Sequence, residues 1–477
     1  MRTTHKLAIL LTAALALLAA GGSFAIAERP APLARLVRGA APLERVPVLT
    51  LTPLDAWQAL AASQRTQGSG PLQFAESERI FATPATHGLW ETLPGGTQLW
   101  RLRVASQGAL SLNFGFTRYT MPAGGRLTVY DINQAMIYGP YTDADNEAHG
   151  QLWTPIVPGD EAVVEVELPA GTPRDQLQLV LTKVGRAFLD PFSPEAEKGF
   201  SGSCNVDVVC PQAAAWQAQI RSVALMVMGG TRRCTGALIN NTAQDKRPLF
   251  LTANHCVDSD EVAASVVTYW NYYNPTCRIP GSLVSGLGGS GSLRQTLSGA
   301  FLRATFAPSD MTLLELDDMV PDEYNPYWAG WDRGPEAPSR AVAIHHPRGA
   351  EKRISFENDP TTITGLFSTE SPGPGTHIRV TDWDLGTTES GSSGSPLFNQ
   401  NGLVVGQLHG GDAACGNDGS DWYGRLHMSW AGGGVPGTRL SDFLDPIGSG
   451  VTWLPGLDGT SLPVTLTPYS YIPSVER

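Results

Sequence analysis

No cysteine occurs before residue 204, and Cys-x-x-Cys occurs nowhere in the chain. The second absence removes the commonest zinc-ligand spacing. No apolar run beyond residue 20 is long enough to span a membrane. Positive charge is also short. The 33 basic residues stand against 45 acidic ones, a net of −12, which excludes nucleic acid and anionic membrane as main partners because both require a basic surface. Charged residues are only 16% of the chain beside 42% hydrophobic, so the composition is globular and lacks the charge excess of disorder. No internal repeat is present.

What the chain has in excess is glycine and proline, 52 and 36 residues. That load fits many short strands joined by turns, an all-β protein, better than a helical one. The 477 residues allow two or three domains. The first 27 residues predict a signal peptide. Arg2 and Lys6 precede an apolar run over 7–20, and Ala25-Ile26-Ala27 is a small-x-small cleavage site with the cut expected after Ala27. Export implies secretion into an oxidising compartment. The even set Cys204, Cys210, Cys234, Cys256, Cys277 and Cys415 then predicts three disulfides, with fifteen pairings open.

The cysteine boundary also divides the chain. Residues 28–198 begin with a Pro/Ala/Arg-rich stretch and a turn-rich patch over 63–71. From about 97 the alternation of apolar and polar residues predicts strands at 99–104, 110–116, 126–130, 162–168 and 177–181. The expectation is a β-sandwich-like pro-region. The polar segment 191–199 is a good place for a proteolytic cut, between Lys198 and Gly199. Short strands return at 222–227, 235–239, 249–252, 263–269, 311–316, 341–344, 378–381 and 403–408, with one helix at 438–444. Residues 459–477, rich in Thr, Ser and Pro, read as a C-terminal extension.

Three motifs in this second part carry chemistry. A buried strand ends in Thr252-Ala253-Asn254-His255-Cys256, and a Cys234–Cys256 disulfide would pin the histidine loop to its neighbour. Gly391-Ser392-Ser393-Gly394-Ser395 precedes the apolar run Pro396-Leu397-Phe398. Such a turn aims the N–H groups of Gly391 and Ser393 at one point, an oxyanion hole for attack by Ser393. Asp310 opens the strand 311–316, with Asp317 and Asp318 as competitors at its far end. A serine nucleophile needs a histidine base, and the base needs a carboxylate to fix its tautomer. The chain order His, Asp, Ser differs from those of subtilisin and the α/β-hydrolases, and Ser395 breaks the Gly-x-Ser-x-Gly elbow.

Longer runs make the reading specific. They are residues 201–210, Tyr269-Trp270-Asn271-Tyr272, residues 328–333, Ile344-His345-His346-Pro347, residues 351–355 and residues 406–411. Through them, residues 199–458 resemble the bacterial lysyl endopeptidases of the Achromobacter protease I type. The resemblance implies a chymotrypsin-like double β-barrel and a triad of His255, Asp310 and Ser393. It also implies disulfides Cys204–Cys415, Cys210–Cys277 and Cys234–Cys256. It implies Asp421 as the acceptor of a substrate lysine and His409 as a pocket-side histidine. The tryptophan that stacks on that histidine in the family is missing, and Phe367 is the aromatic of the matching stretch. Ser429 and Trp430, with Gly432 and Gly433, are expected to form the edge strand that pairs with the substrate backbone. His345 and His346 are expected to pack, and neither metal nor cofactor is expected.

Lysine is scarce. Only five of the 33 basic residues are lysines, leaving 28 arginines, and residues 199–458 keep just Lys246 and Lys352. An enzyme that cut after arginine would face many sites of its own, although a codon bias towards arginine accounts for the same numbers. Ser392 stands where trypsin-type zymogens carry an aspartate, so latency is expected from residues 28–198, by covering the cleft or assisting folding. The expected protein is a secreted, monomeric serine endopeptidase acting on protein or peptide substrates with its own pro-region as partner. The alternatives are an Arg or mixed Lys/Arg preference, or a non-catalytic binder on the same fold.

Overall fold

A computed structural model describes residues 31–36, 39–66, 70–189, 201–371 and 375–459. The signal segment with Ala27, the cut site at Lys198 and Gly199, and residues 460–477 lie outside the described residues.

The N-terminal region is two sheets packed face to face. One has the order Val48–Thr50, Gln98–Ala105, Glu161–Leu168, Arg126–Asp131, Ile137–Tyr141, with Leu89–Thr92 added to Gln98–Ala105. The other runs Val157–Pro158, Ser111–Thr120, Gln178–Ala187, Ala75–Ala82, with Leu152–Trp153 added to Ser111–Thr120. Alternate residues such as Leu102, Val104, Leu112, Phe114, Val164 and Val166 fill one core, as the two-residue period of a strand requires. Two features differ from expectation. Strands begin well before residue 97, and the patch read as turns is partly a helix, Ala56–Thr66. That helix is rich in alanine, a strong helix former, and it carries Ala59 and Leu60 into the core.

The second region is a pair of curled sheets, as the double β-barrel that the resemblance implies requires. In the first, the strands run Thr296–Ser298, Val267–Tyr269, Val223–Met228, Arg232–Leu238, Leu249–Ala253, Met311–Leu316, Ala300–Phe306. In the second, Val206–Asp207, Arg353–Glu357, Ala341–His345, Pro396–Asn399, Val404–Gly411, Asp421–Arg425, His377–Val380 and Thr362–Thr364 follow one another, with Trp331–Asp332 and Trp453–Leu454 alongside. Each sheet closes on its own apolar cluster, and a third cluster lies between them. The disulfides are Cys204–Cys415, Cys210–Cys277 and Cys234–Cys256, the pairs that the resemblance implies. Beside Cys210–Cys277, Arg278 bonds Asp207 at 2.6 Å and Glu351 at 2.9 Å, and Arg353 bonds Asp207 at 2.9 Å, all out of solvent.

The sandwich sits on the outer face of the first sheet. Val223–Met228 is apolar at every position. Ala224, Met226 and Met228 point into the barrel, whereas Leu225 and Val227 point outward into the sandwich core with Val267, Tyr269, Tyr272 and Leu293. A strand with no polar face needs cover on both sides, and here the cover is the N-terminal region. Leu72–Gln73 extends the sheet beside Arg232 and Arg233. Asn113 Nδ2 donates to Gly230 O at 2.9 Å, Ser298 Oγ to Trp153 O at 2.7 Å, and His149 Nε2 meets Asp317 Oδ2 at 2.8 Å.

Among the described residues the three lysines are all engaged. Lys352 is fully buried, its Nζ donating to Ile220 O at 2.8 Å, and burial lowers its pKa to about 7. Lys246 has a φ of +61° and donates to Gly459 O. Lys183 lies mid-strand in Gln178–Ala187, paired on both sides.

Candidate active site

Two of the three motif residues, His255 and Asp310, are in direct contact, and the loop of the third packs against the strand that leads to them. Leu249–Ala253 pairs with Met311–Leu316, Ala253 opposite Met311. That register sets the loop after one strand beside the start of the other. Asp310 takes a left-handed conformation, φ +50° and ψ +38°. It is 2% exposed, its Oδ1 accepts from His255 N at 2.9 Å, and its Oδ2 meets His255 Nδ1 at 2.7 Å. The carboxylate therefore grips backbone and ring together, and only one imidazole tautomer satisfies it. Asp317, one of the competitors, pairs with His149 of the sandwich instead, and the other, Asp318, is exposed.

The Ser393 loop is pinned from several sides. Thr235 N donates to Ser393 O at 2.8 Å and Thr235 Oγ1 to Gly391 O at 3.0 Å, while Gly394 N donates to Leu408 O at 2.8 Å. Gly391 has φ +96°, and a Cβ there would come within 2.8 Å of Gly349 N, so glycine is required. A Cβ on Gly394 would meet Thr252 Oγ1 at 2.2 Å, which places this loop against the strand that leads to His255. Neither Gly391 N nor Ser393 N has an acceptor among the described residues. His255 Nε2 is buried without a hydrogen-bond partner, so Ser393 Oγ is not bonded to it here. Such bonds often tighten only in the Michaelis complex.

His345 and His346 do pack. His345 Nδ1 meets Ser392 Oγ at 2.8 Å and its Nε2 meets Ser355 Oγ at 3.1 Å, which fixes the residue before Ser393. His346 Nδ1 bonds Ala350 O and its ring lies flat on Tyr272. Burial pulls the His345 pKa down to about 3, so it is a neutral buried linker.

Asp421 begins the strand Asp421–Arg425 and is fully buried. Its Oδ2 accepts from Trp383 Nε1 and from Thr388 Oγ1, each at 2.7 Å. Burial raises its pKa to about 6 against these two bonds. Among the described residues no basic side chain pairs with it. Gly411 lies directly alongside, where a Cβ would sit 2.2 Å from Asp421 Oδ1. Trp383 and Thr388 were not marked by any sequence motif. They lie 38 and 33 residues away in the chain, and only the fold brings them near.

Two expected pocket features are corrected. Residues Leu426–Ala431 form a short helix, not an edge strand. Ser429 points inward to Ser309 Oγ at 2.8 Å, and Trp430 packs on Trp331 at 4.7 Å. Gly432, with φ +49°, ends the helix by donating to Met428 O. The extended edge is instead the end of Val404–Gly411, where Gly410 and Gly411 pair only with Asp421–Arg425 and His409 stands at a bulge between Leu408 and Gly410. Nor does Phe367 reach His409. It meets Trp422 edge-on at 5.3 Å, and the ring beside His409 is His377.

Among the described residues the hydrogen bonds and ion pairs of the N-terminal region to the second region reach the outer sheet and adjoining loops, and none touches His255, Ser393 or Asp421.

A family model described as lysyl endopeptidase, C-terminal domain, matches residues 198–424, and one described as lysyl endopeptidase N-terminal domain matches residues 47–187. A lysyl endopeptidase of Pseudomonas aeruginosa is 31% identical over 346 residues, spanning 69% of this chain and 72% of the relative. Among solved structures, a Glu endopeptidase in complex with MPD is 16% identical and covers 47% of this chain and 93% of its own, with a TM-score of 0.29. The active form of the Rv3671c protease from M. tuberculosis is 17% identical, covering 50% and 88%, with a TM-score of 0.28.

Proposed function

The chain belongs to the lysyl endopeptidase family, and from that premise we propose a secreted serine endopeptidase that cuts on the carboxyl side of lysine. Ser393 Oγ attacks the scissile carbonyl while His255 Nε2 takes its proton. Asp310 holds the Nδ1–H tautomer and balances the imidazolium. The N–H groups of Gly391 and Ser393 receive the oxyanion. His255 then protonates the leaving amine, and water attacks the acyl-enzyme by the same steps in reverse. The observation that carries this reading is the double grip of Asp310 on His255, with Nε2 left without a hydrogen-bond partner.

The lysine preference rests on Asp421, a desolvated carboxylate without a cation of its own. Gly411 leaves the approach to Oδ1 clear. The substrate backbone pairs with the open edge at His409–Gly411, adding a strand. Export rests on the segment before Ala27, and release of residues 28–198 on a cut after Lys198 that the enzyme's own specificity can make. No helix among the described residues is long and apolar enough to cross a membrane.

Digestion of a mixed-sequence protein, with the new termini read by mass spectrometry, tests the preference. Cuts after arginine as often as after lysine would overturn it. Ser393→Ala should lower kcat by about 10⁴ to 10⁶ with the fold intact. Retained turnover, or failure of a phosphonate to label Ser393 in the native enzyme, would remove the catalytic assignment.

A further inference from the structure

His377 lies on the strand His377–Val380, one strand beyond Asp421–Arg425, and its side chain is 1% exposed. Its Nε2 lies 3.0 Å from His409 Nδ1, and its Nδ1 lies 2.7 Å from Thr376 Oγ1. The His409 ring in turn stacks on His255, with centroids 5.6 Å apart and planes 18° from parallel. His409 Nδ1 is also 3.7 Å from Asp310 Oδ2. An unbroken line of contacts therefore runs from the strand interior through His409 to the histidine and carboxylate of the proposed triad.

The tautomers follow from the acceptors. A lone pair on His409 Nδ1 would face the Asp310 carboxylate, so that nitrogen carries the proton. His377 Nε2 must then accept it, and His377 Nδ1–H donates to Thr376 Oγ1. We propose that His377 is a positioning residue for the reaction: it holds His409 in one tautomer, flat against His255 and within the buried setting that keeps the ring neutral. This rests on the serine-triad reading above. A neutral π face beside His255 favours the imidazolium that forms in each step. A protonated His409 would oppose it by like-charge repulsion.

The surroundings support a neutral pair. Burial lowers both imidazole pKa values, that of His377 to about 4. The charged or titratable groups acting on the pair are Asp310 and His255. The strands on either side set Thr364 and Gly424 opposite His377, and neither titrates.

The test uses the full chain, expressed and processed, with a short lysyl anilide as substrate. His377→Phe fills the site without an acceptor. It should lower kcat/KM about tenfold, in kcat more than KM. It should also add a second titration to the acid limb of the pH profile, as a His409 ring released from its buried setting becomes easier to protonate. His377→Gln, whose Oε1 can accept the same proton, should restore the native acid limb. An unchanged profile in His377→Phe would overturn the proposal. So would a loss that is uniform in pH and not relieved in His377→Gln. Should His377→Phe fail to fold, ¹⁵N spectra of the native enzyme decide: His409 protonated on Nδ1 supports the proposal, and on Nε2 overturns it. A native enzyme that does not turn over the anilide, like Ser393→Ala, would sink the parent reading instead.

Discussion

The two regions solve the same problem with different means. The sandwich, residues 31–189, contains no cysteine and relies on one continuous apolar core. The protease region divides its apolar residues among smaller clusters and adds three disulfides and a buried network of Arg278, Arg353, Asp207 and Glu351. Buried charge networks contribute little net stability, but removing one partner leaves another charge buried and uncompensated. The region that holds the chemistry is therefore the one with crosslinks and fixed polar partners. The other supplies apolar cover, including a lid on the outer face of Val223–Met228.

This difference is open to experiment. The largest effect is expected from omitting residues 28–198. Leu225, Val227, Val267 and Tyr269 would then be left without their cover, and refolding of 199–477 should yield little active enzyme until the missing region is added in trans. Full activity regained at a normal rate would show that the cover is dispensable. Within the protease region, Asp421→Asn should weaken kcat/KM for lysyl substrates by about 2–5 kcal/mol, roughly 30- to 4,000-fold. Phe114→Ala, in the middle of the sandwich core, should cost about 3–5 kcal/mol of stability of the unprocessed chain. Yet kcat of the processed enzyme, which no longer contains Phe114, should be unaltered, and a changed kcat would show that the protease region folds correctly only beside an intact sandwich. Replacing Cys234 and Cys256 together by alanine opens a loop of 22 residues and should cost about 2–4 kcal/mol, read by denaturant titration.

The smallest effect concerns pH. The Asp421 pKa is raised from 3.8 to about 6. The folded state thus binds this proton more tightly than the unfolded chain does. Its contribution is fully present below about pH 4 and is lost as pH rises through 6. Asp421→Asn should accordingly stabilise the free enzyme at pH 8, by on the order of 1–3 kcal/mol, and not at pH 4. In catalysis the sign is opposite: below pH 6 the carboxyl is neutral, and KM for lysyl substrates should rise. A melting curve and a KM profile check both signs.

Much of the frame was legible in the sequence, because its elements are short strands with clear punctuation. The strands read at 249–252, 311–316 and 341–344 form as Leu249–Ala253, Met311–Leu316 and Ala341–His345. His255, Asp310 and the Ser393 turn are marked by local motifs, and the fold sets the first two in contact. The helix Leu426–Ala431 was not legible. Six residues carry too little periodicity, and its anchor, Trp430 on Trp331, is a tertiary contact. The left-handed backbone of Asp310, Trp383 and Thr388 on Asp421, and the ring that meets His409 belong to the same class. Each depends on strands distant in sequence lying side by side. The all-apolar run Val223–Met228 did announce a sheet covered on both faces, but not what covers it.

The placement of the lysines has a consequence for the enzyme as a population. In a concentrated preparation each molecule is a potential substrate of its neighbours. For a protease that cuts after lysine, attack requires an extended segment with a free lysine side chain. Lys352 is sealed in the interior, Lys246 is tied to Gly459, and Lys183 is locked in a paired strand. A folded molecule thus offers its neighbours no purchase at these positions, whereas a misfolded one exposes all three. The arrangement would work as quality control without a second protein: sound copies accumulate, and defective ones are consumed by their own kind.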